Sequence, residues 1–354
     1  MSNNKKINKA KLGAFSMKVL GDIGGTFIGM MCYIGDRLGL FNTLSTDGPG
    51  TSREIANRLG IDERYTREWL SSLTAAKYLE YDPSTKLFTL PLEHAELVAQ
   101  EYGVGGAYQQ VSAMWAVMDK VLDSFKNGGG VSPSSYPDEL WEGMERFTGS
   151  MFEDLLIEQW LPIIPEIRDE LNGGIEVADV GCGAGKAIIK LASEFPNSTF
   201  TGYDMLEYNI STSISRASKA GVSSNTSFKQ IDIMKGIPEE FDLITVFDVI
   251  HDLVNPKRGL KAIKNALRPE GVLLLLDIKC SDKLEENITP LAPMMYGISI
   301  MYCMTQSLSQ GGEGLGAMGL PPSKVRELCI ASGFSEVKEV PIKSPFNILY
   351  SIKP

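Results

Sequence analysis

Histidine is scarce in this chain and cysteine is scattered. Only His94 and His251 occur among 354 residues, so a metal centre would have to be built almost wholly from oxygen ligands. The five cysteines, Cys32, Cys182, Cys280, Cys303 and Cys329, are odd in number and show no CxxC spacing. That argues against a zinc site or a disulfide framework and for a reducing, cytoplasmic compartment. Positive charge is not in excess either. The formal net charge is -10, and a phosphate backbone would be repelled by the protein as a whole, so no nucleic-acid partner is expected. Long hydrophobic runs are missing. Lys5, Lys6, Lys9 and Lys11 precede an apolar stretch, as in a secretion signal, but Lys18 and Asp22 interrupt it and no small-residue cleavage pattern follows. The apolar segment Gly24 to Tyr33 is far shorter than the roughly 20 residues of a membrane span. It reads as a helix, and no membrane partner is expected.

The chain is long enough for two domains, and its 43% hydrophobic and 22% charged residues match a globular protein with a sizeable core. Apolar residues from Phe15 to Phe41 fall at helical spacing, and a Thr, Ser, Asp, Gly and Pro-rich connection follows at Thr43 to Gly50. Thr51-Ser52-Arg53-Glu54 is a capping box and Gly60 a helix stop. A second helix begins after Asp62 with Trp69, Leu70 and Leu73 on one side. Two short β-like runs, Tyr78 to Tyr81 and Leu87 to Leu90, flank the turn residues Asp82 to Lys86. Helix, turn, helix, hairpin is the outline of a winged helix. Arg64 and Arg67 are matched by Asp62, Glu63 and Glu68, so a structural or dimerising role fits this domain better than DNA binding. His94, just after the wing, reads as a surface or packing residue.

Residues 96 to 170 read as mainly helical, interrupted by an exposed loop from Asn127-Gly128-Gly129-Gly130 to Pro137. From about Ile175 short apolar runs alternate with amphipathic helical ones, the pattern of βα units on a parallel sheet. Strands are expected at 175–180, 198–203, 226–231, 242–247, 272–278, 336–342 and 346–352. The domains expected are therefore a winged-helix domain at 1–95, a helical linker at 96–170 and an α/β domain at 171–354 with an insert at about 281–320.

Chemistry concentrates at three strand ends. Val177 to Gly185 carries Gly181, Gly183 and Gly185 where a strand turns into a helix, and Ile188, Leu191, Ala192 and Phe195 give that helix an apolar face. A dinucleotide fold uses G-x-G-x-x-G, whereas Lys186 stands here where the third glycine would fall. Asp179 would be awkward beside a pyrophosphate but suits an ammonium. Asp204, about 20 residues beyond the loop and followed by Met205, can accept both hydroxyls of a ribose. Asp232 ends the third strand, where a carboxylate can accept an adenine amino group while Ile233 covers the ring. Each aspartate alone would read as a solvated strand end or a helix cap. Together they form one crevice at the carboxyl edge of an open α/β sheet.

On these residues the chain resembles the class I S-adenosylmethionine-dependent methyltransferases, and with the winged helix in front it resembles the plant-type small-molecule O-methyltransferases and a mycobacterial-type bacterial branch. The resemblance implies an α/β fold with a seven-stranded Rossmann-like methyltransferase sheet, the last strand antiparallel, behind a mainly helical winged-helix domain. It implies S-adenosyl-L-methionine as cofactor, held by Asp179, Gly181, Gly183, Gly185, Asp204, Met205, Asp232, Ile233 and Phe247. The strand-end segment His251-Asp252-Leu253 matches the first two residues of the plant-type His-Asp-Trp. His251 is then the general base, with its pKa near working pH, or a residue that only packs. Asp277, ending the apolar run from Val272, would orient His251 or the acceptor. The Ser281 to Leu320 insert would roof the acceptor pocket with Tyr296 and Tyr302. Met114, Trp115 and Met118 complete that roof or belong to plain core. The segment Ser307-Leu308-Ser309-Gln310 carries the likeness to the mycobacterial branch.

The implied reaction is in-line displacement at the methyl carbon, with alignment as the protein's main contribution. The acceptor is a small molecule, with oxygen first and sulfur or nitrogen as alternatives. A ligand-sensing winged-helix regulator and a nicotinamide oxidoreductase are the rival classes, the first opposed by charge and the second by glycine spacing. The apolar opening helix has no evident partner inside so small a domain, so a homodimer through it is expected.

Overall fold

The computed structural model describes residues 7–354, except for the side chains at positions 150, 151, 153 and 154; Lys5 and Lys6 of the basic N-terminus lie outside this range. The chain divides into two units. One runs to Ala113 and takes in Asp138–Phe147, and the other comprises Met114–Pro137 and Thr148–Pro354.

The first unit opens with α1 (Lys9–Arg37) and α2 (Leu40–Thr46). Helix α3 (Ser52–Leu59) starts on the expected capping box. Thr51 Oγ1 accepts from the Glu54 amide and the Glu54 carboxylate accepts from the Thr51 amide at 2.8 Å, which satisfies two otherwise orphaned donors. It stops at Gly60, which is left-handed. Asp62 caps α4 (Glu63–Ala75), which buries Trp69, Leu70 and Leu73. The Trp69 indole also donates to the Met31 carbonyl at 2.7 Å. The wing is β1 (Glu80–Asp82) paired antiparallel with β2 (Leu87–Thr89), widened by a bridge from Gly50 to Phe88. On α4 Arg64 pairs with Glu68 and Arg67 with Glu63, so the charge of this helix is spent within itself. His94 packs as read, with Nδ1 2.9 Å from the Tyr78 carbonyl. Helices α5 (Leu92–Val98) and α6 (Val104–Trp115) follow.

The second unit is built on seven strands: β3 (Glu176–Val180), β4 (Thr199–Asp204), β5 (Thr226–Gln230), β6 (Phe241–Phe247), β7 (Leu267–Ile278), β8 (Glu336–Val340) and β9 (Asn347–Lys353). Their order is β5-β4-β3-β6-β7-β9-β8, with β9 antiparallel to both neighbours and the pairs from β5 through β7 parallel. This is the seven-stranded methyltransferase sheet expected from the sequence. The central strands are apolar on both faces because helices cover both. Leu274 and Leu276 pack into one core cluster and Leu273 and Leu275 into the other, the two-residue period of a strand with two buried sides. Strand β7 begins earlier than expected, since Leu267 already pairs with Phe241 ahead of a register shift. Among the described residues no helix is long and apolar enough to cross a membrane.

The expected exposed loop after α7 (Met118–Asn127) is only half exposed. Gly128 and Gly129 are open, but Gly130 packs so tightly that a Cβ would stand 1.9 Å from the Thr305 carbonyl oxygen. The Val131 amide donates to Thr305 Oγ1 at 2.9 Å, and Val131 and Tyr136 are buried. Glycine serves here as an absence of bulk, which turn composition alone does not reveal. Helix α8 (Glu139–Asp154) and α9 (Pro165–Gly173) lead into β3.

Truncating Leu275 to alanine in this doubly covered sheet leaves a cavity that neither helical layer can fill. The expected cost is about 3 kcal/mol, read as a lowered urea midpoint of the unit's unfolding transition by circular dichroism; a loss under about 1 kcal/mol would contradict this packing.

Candidate functional site

The carboxyl ends of β3, β4 and β5 lie side by side, with Val180 opposite Tyr203 and Asp204 opposite Gln230. The loop after β3 is drawn onto β4 by two amides, Gly181 and Cys182, which donate to the Tyr203 carbonyl at 2.7 and 2.9 Å. All three loop glycines have positive φ. At Gly181 a side chain is doubly excluded, by φ of 73° and because a Cβ would stand 2.4 Å from Val249. Beyond Gly183 there is open space, as a backbone needs where a ligand approaches. The loop leads into α10 (Lys186–Glu194), whose Ile188, Leu191 and Ala192 are buried, and α11 (Glu207–Lys219) follows β4.

The three acids are held differently. Asp179 is buried and accepts one bond, from Thr245 Oγ1 at 2.7 Å. Burial pushes its carboxyl up to about 7; the Thr245 bond opposes this and the nearby charge of Asp204 adds to it. Among the described residues no cation pairs with Asp179, so its carboxylate is incomplete without a positive ligand group. Asp204 accepts from the Gly183 amide at 2.9 Å on one oxygen, and from the Leu206 amide and Asn209 Nδ2 on the other. Asp232 accepts from the Met234 amide at 3.0 Å and is 3.6 Å from Lys235 Nζ. Ile233 is buried beside it, while Met205 is exposed. Phe247 is buried and stacked on Phe152, with ring centroids 5.4 Å apart. Glycines with open space, a half-buried acid bonded to the loop, and a buried acid wanting a cation fit the parts of an adenosyl amino acid.

The next two strand ends bring His251 and Asp277 together. His251 lies on a 3₁₀ turn after β6, Asp277 near the end of β7, and Nδ1 is 2.7 Å from Asp277 Oδ1. Both are buried. Burial disfavours the imidazolium, but the charges of Asp277 and Asp252 and the hydrogen bond to Asp277 outweigh it, and the histidine pKa is raised well above its usual value. The Nε2 atom is 3.4 Å from Asp252 Oδ1.

The insert holds this turn in place. After α12 (Pro256–Asn265) and β7, the chain forms α13 (Ala292–Ile298), a π-helical turn at Ser299–Cys303 and α14 (Met304–Ser309). Gln306 Nε2 donates to the Asp252 carbonyl at 2.6 Å and Ser307 Oγ to that of Leu253 at 3.1 Å. Tyr302 is buried edge-on to Tyr136, and its pKa is raised by burial and then by the charge of Asp252, which places it in the surroundings of His251. Tyr296 and Met118 are half-buried and Trp115 is exposed. No hydrogen bond or ring contact ties Tyr296, Met118 or Trp115 to His251 among the described residues.

Sequence reading passed over Asp248, Cys303 and Asn347. Asp248 is a non-glycine residue with φ of 56°, half-buried, and accepts from Asn347 Nδ2 at 2.8 Å. Burial and then Asp277 push its carboxyl up to about 7. Its only sequence signal was an acid ending an apolar strand. Cys303 had none, being 52 residues from its partner His251.

Residues 171–312 match the methyltransferase domain family, and residues 26–100 match the Rv2258c-like winged HTH domain family. Among curated proteins, the ubiquinone biosynthesis O-methyltransferase of Pseudomonas syringae pv. tomato is 29% identical over 113 residues, covering 31% of this chain and 47% of that protein. The chain aligns with between a quarter and about three fifths of the length of the first curated relatives it matches. Among solved structures, the mitomycin 7-O-methyltransferase MmcR has a TM-score of 0.74 at 18% identity, covering 98% of this chain and 100% of that one. Human N-acetylserotonin methyltransferase, solved with S-adenosylmethionine, has a TM-score of 0.67 at 18% identity, covering 100% and 99%. The protein thus carries a methyltransferase domain behind a winged-helix domain.

An ammonium ligand pairs with Asp179 only when that carboxyl is ionised. Its raised pKa means the proton is still bound below about pH 7, so S-adenosylhomocysteine affinity should rise from about pH 6 to about pH 8, by up to ~10-fold per unit on the acid side. Calorimetry across that range checks this. Asp179→Asn should bind more weakly and show no such dependence; an unchanged pH profile in the variant removes Asp179 from the site.

Proposed function

We propose that the protein is an S-adenosylmethionine-dependent methyltransferase acting on an oxygen atom of a small molecule. The observation that carries this reading is the row of Asp179, Asp204 and Asp232 at three adjacent strand ends around a glycine loop, with the His251–Asp277 pair at the next two. In this reading Asp179 receives the amino-acid ammonium, Asp204 the ribose hydroxyls beside Met205, and Asp232 the adenine amino group. Ile233 and Phe247 supply apolar walls, and Gly181, Gly183 and Gly185 leave room for the ligand. When bound, S-adenosylmethionine supplies a methyl group made electrophilic by its sulfonium.

His251 takes the acceptor's hydroxyl proton at Nε2, because Nδ1 is engaged by Asp277. The charges of Asp277 and Asp252 that raise its pKa stabilise the imidazolium formed as the oxygen takes the methyl group. The proton then leaves to solvent and restores the base. Oxygen is favoured because a held and strengthened base serves an O–H acceptor, whereas a thiolate or a neutral amine needs little help. The O-methyltransferase named for the mitomycin enzyme of the same fold points the same way. Tyr302 and Tyr296 would line the acceptor side, with Met118 and Trp115 as outer candidates. All five cysteines are free and buried, in keeping with a reducing, cytoplasmic setting.

We also propose a homodimer through α1. This helix of 29 residues buries only Cys32 and Gly35, and leaves Phe15, Leu20, Ile23 and Phe27 exposed along its length. Light scattering at micromolar concentration should give twice the 38.7 kDa chain mass; a monomer at that concentration overturns the proposal.

For the chemistry, His251→Ala should lower kcat by about 10²- to 10⁴-fold while S-adenosylhomocysteine binding by calorimetry stays within about twofold. The assay follows label transfer to phenols, carboxylic acids, thiols and amines. Unchanged kcat on a hydroxyl acceptor removes His251 from the mechanism, and transfer to thiols or amines alone removes oxygen.

A further inference from the structure

Scarcity of histidine argued against a metal centre, yet folding gathers three different donor atoms at one point. The 3₁₀ turn after β6 presents His251 Nε2 and Asp252 Oδ1, 3.4 Å apart. The π-helical turn between α13 and α14 brings Cys303 Sγ to them, and the three ligand atoms all lie within 4.8 Å of one another. Helices widen to π geometry rarely, and often where a side chain must be re-aimed into a site.

The donor set is nitrogen, oxygen and sulfur, which suits a borderline-soft divalent cation and not magnesium or calcium. Zinc bonds of about 2.0 to 2.3 Å in a tetrahedron set ligand atoms roughly 3.3 to 3.6 Å apart. The nitrogen and oxygen already stand at that separation, and the sulfur has at most about 1 Å to travel. Two further observations point to a cation. Asp252 Oδ1 is shut off from solvent without a well-formed hydrogen bond, the Cys303 thiol being the side chain turned toward this carboxylate, an arrangement that costs free energy until something positive completes it. On the far side of the ring, Asp277 accepts from Nδ1 at 2.7 Å. That directs the Nε2 lone pair at the cluster, as the carboxylate behind a zinc-bound histidine does. A neutral imidazole, a carboxylate and a thiolate together carry two negative charges, so a divalent cation neutralises the three ligands.

We propose that His251 Nε2, the Asp252 carboxylate and Cys303 Sγ form a three-ligand site for a zinc-class divalent cation, with the fourth tetrahedral position left for a ligand from outside this set. The site stands independently of the methyl-transfer reading. Where that reading holds, the two uses exclude each other, because the lone pair that accepts a proton is the one the cation takes. An occupied enzyme has no base, and zinc is then a reversible inhibitor relieved by chelation.

Cobalt(II) serves as the probe. The full chain, stripped with chelator, is titrated with Co²⁺ while visible and near-ultraviolet absorption are followed. Expected are one equivalent bound, intense tetrahedral d–d bands, a thiolate-to-cobalt charge-transfer band, and bleaching of both on adding Zn²⁺. Cys303→Ser should abolish the charge-transfer band, with far-ultraviolet circular dichroism and S-adenosylhomocysteine affinity unchanged. Asp252→Asn should weaken cobalt binding at least tenfold. Absence of tetrahedral bands in the parent protein, or a charge-transfer band that survives in Cys303→Ser, overturns the proposal. Cofactor binding without cobalt binding sinks the metal site alone, whereas a cobalt site in a protein that binds no S-adenosylhomocysteine sinks the methyltransferase reading alone.

Discussion

The order of the large sheet reverses at β3, which lies between β4, added on one side, and β6, added on the other. Connections from β3 and β4 therefore leave toward one half of the sheet and those from β6 and β7 toward the other, and the carboxyl ends between them stay uncovered. The acids and the histidine proposed for cofactor and proton stand on this edge. The glycine loop and Asp204 occupy one half, and His251 and Asp277 the other. A site that needs one end to hold a charged ligand and the other to handle a proton is served by strands that are rigid and arrive together.

Concentration of negative charge is the second constraint, and it follows from the first. Asp179 and Asp277 are buried and Asp248 half-buried along one sheet edge, where nearby carboxylates raise the cost of ionising one another. Such a cluster holds together only by sharing protons or by taking up positive charge. His251 supplies one positive charge inside the cluster when it is protonated. An ammonium at Asp179 and a proton or cation at His251 Nε2 are two forms of the same compensation.

Much of this was legible beforehand because it is written in local chemistry. The capping box at Thr51 to Glu54, the stop at Gly60 and the glycine loop after β3 each depend on residues a few positions apart, and each formed as read. The central strands were legible as apolar runs because both faces of the sheet are covered there, whereas the edge strands β5 and β8 are largely exposed. Ser307 was singled out only for a likeness, and the structure supplies its physical role: its hydroxyl bonds the Leu253 carbonyl and steadies the turn that carries His251.

The sequence by itself determined the two kinds of domain, the strands and the identity of the acids at their ends, since periodicity and turn chemistry act over short spans. Only the tertiary structure decided what those acids face. Gly130 is a glycine because Thr305 lies against it, and Cys303 meets His251 because a π turn rotates it inward. Such meetings join residues far apart in the chain, and their energy comes from close packing and burial, which leave no periodic trace in the order of amino acids.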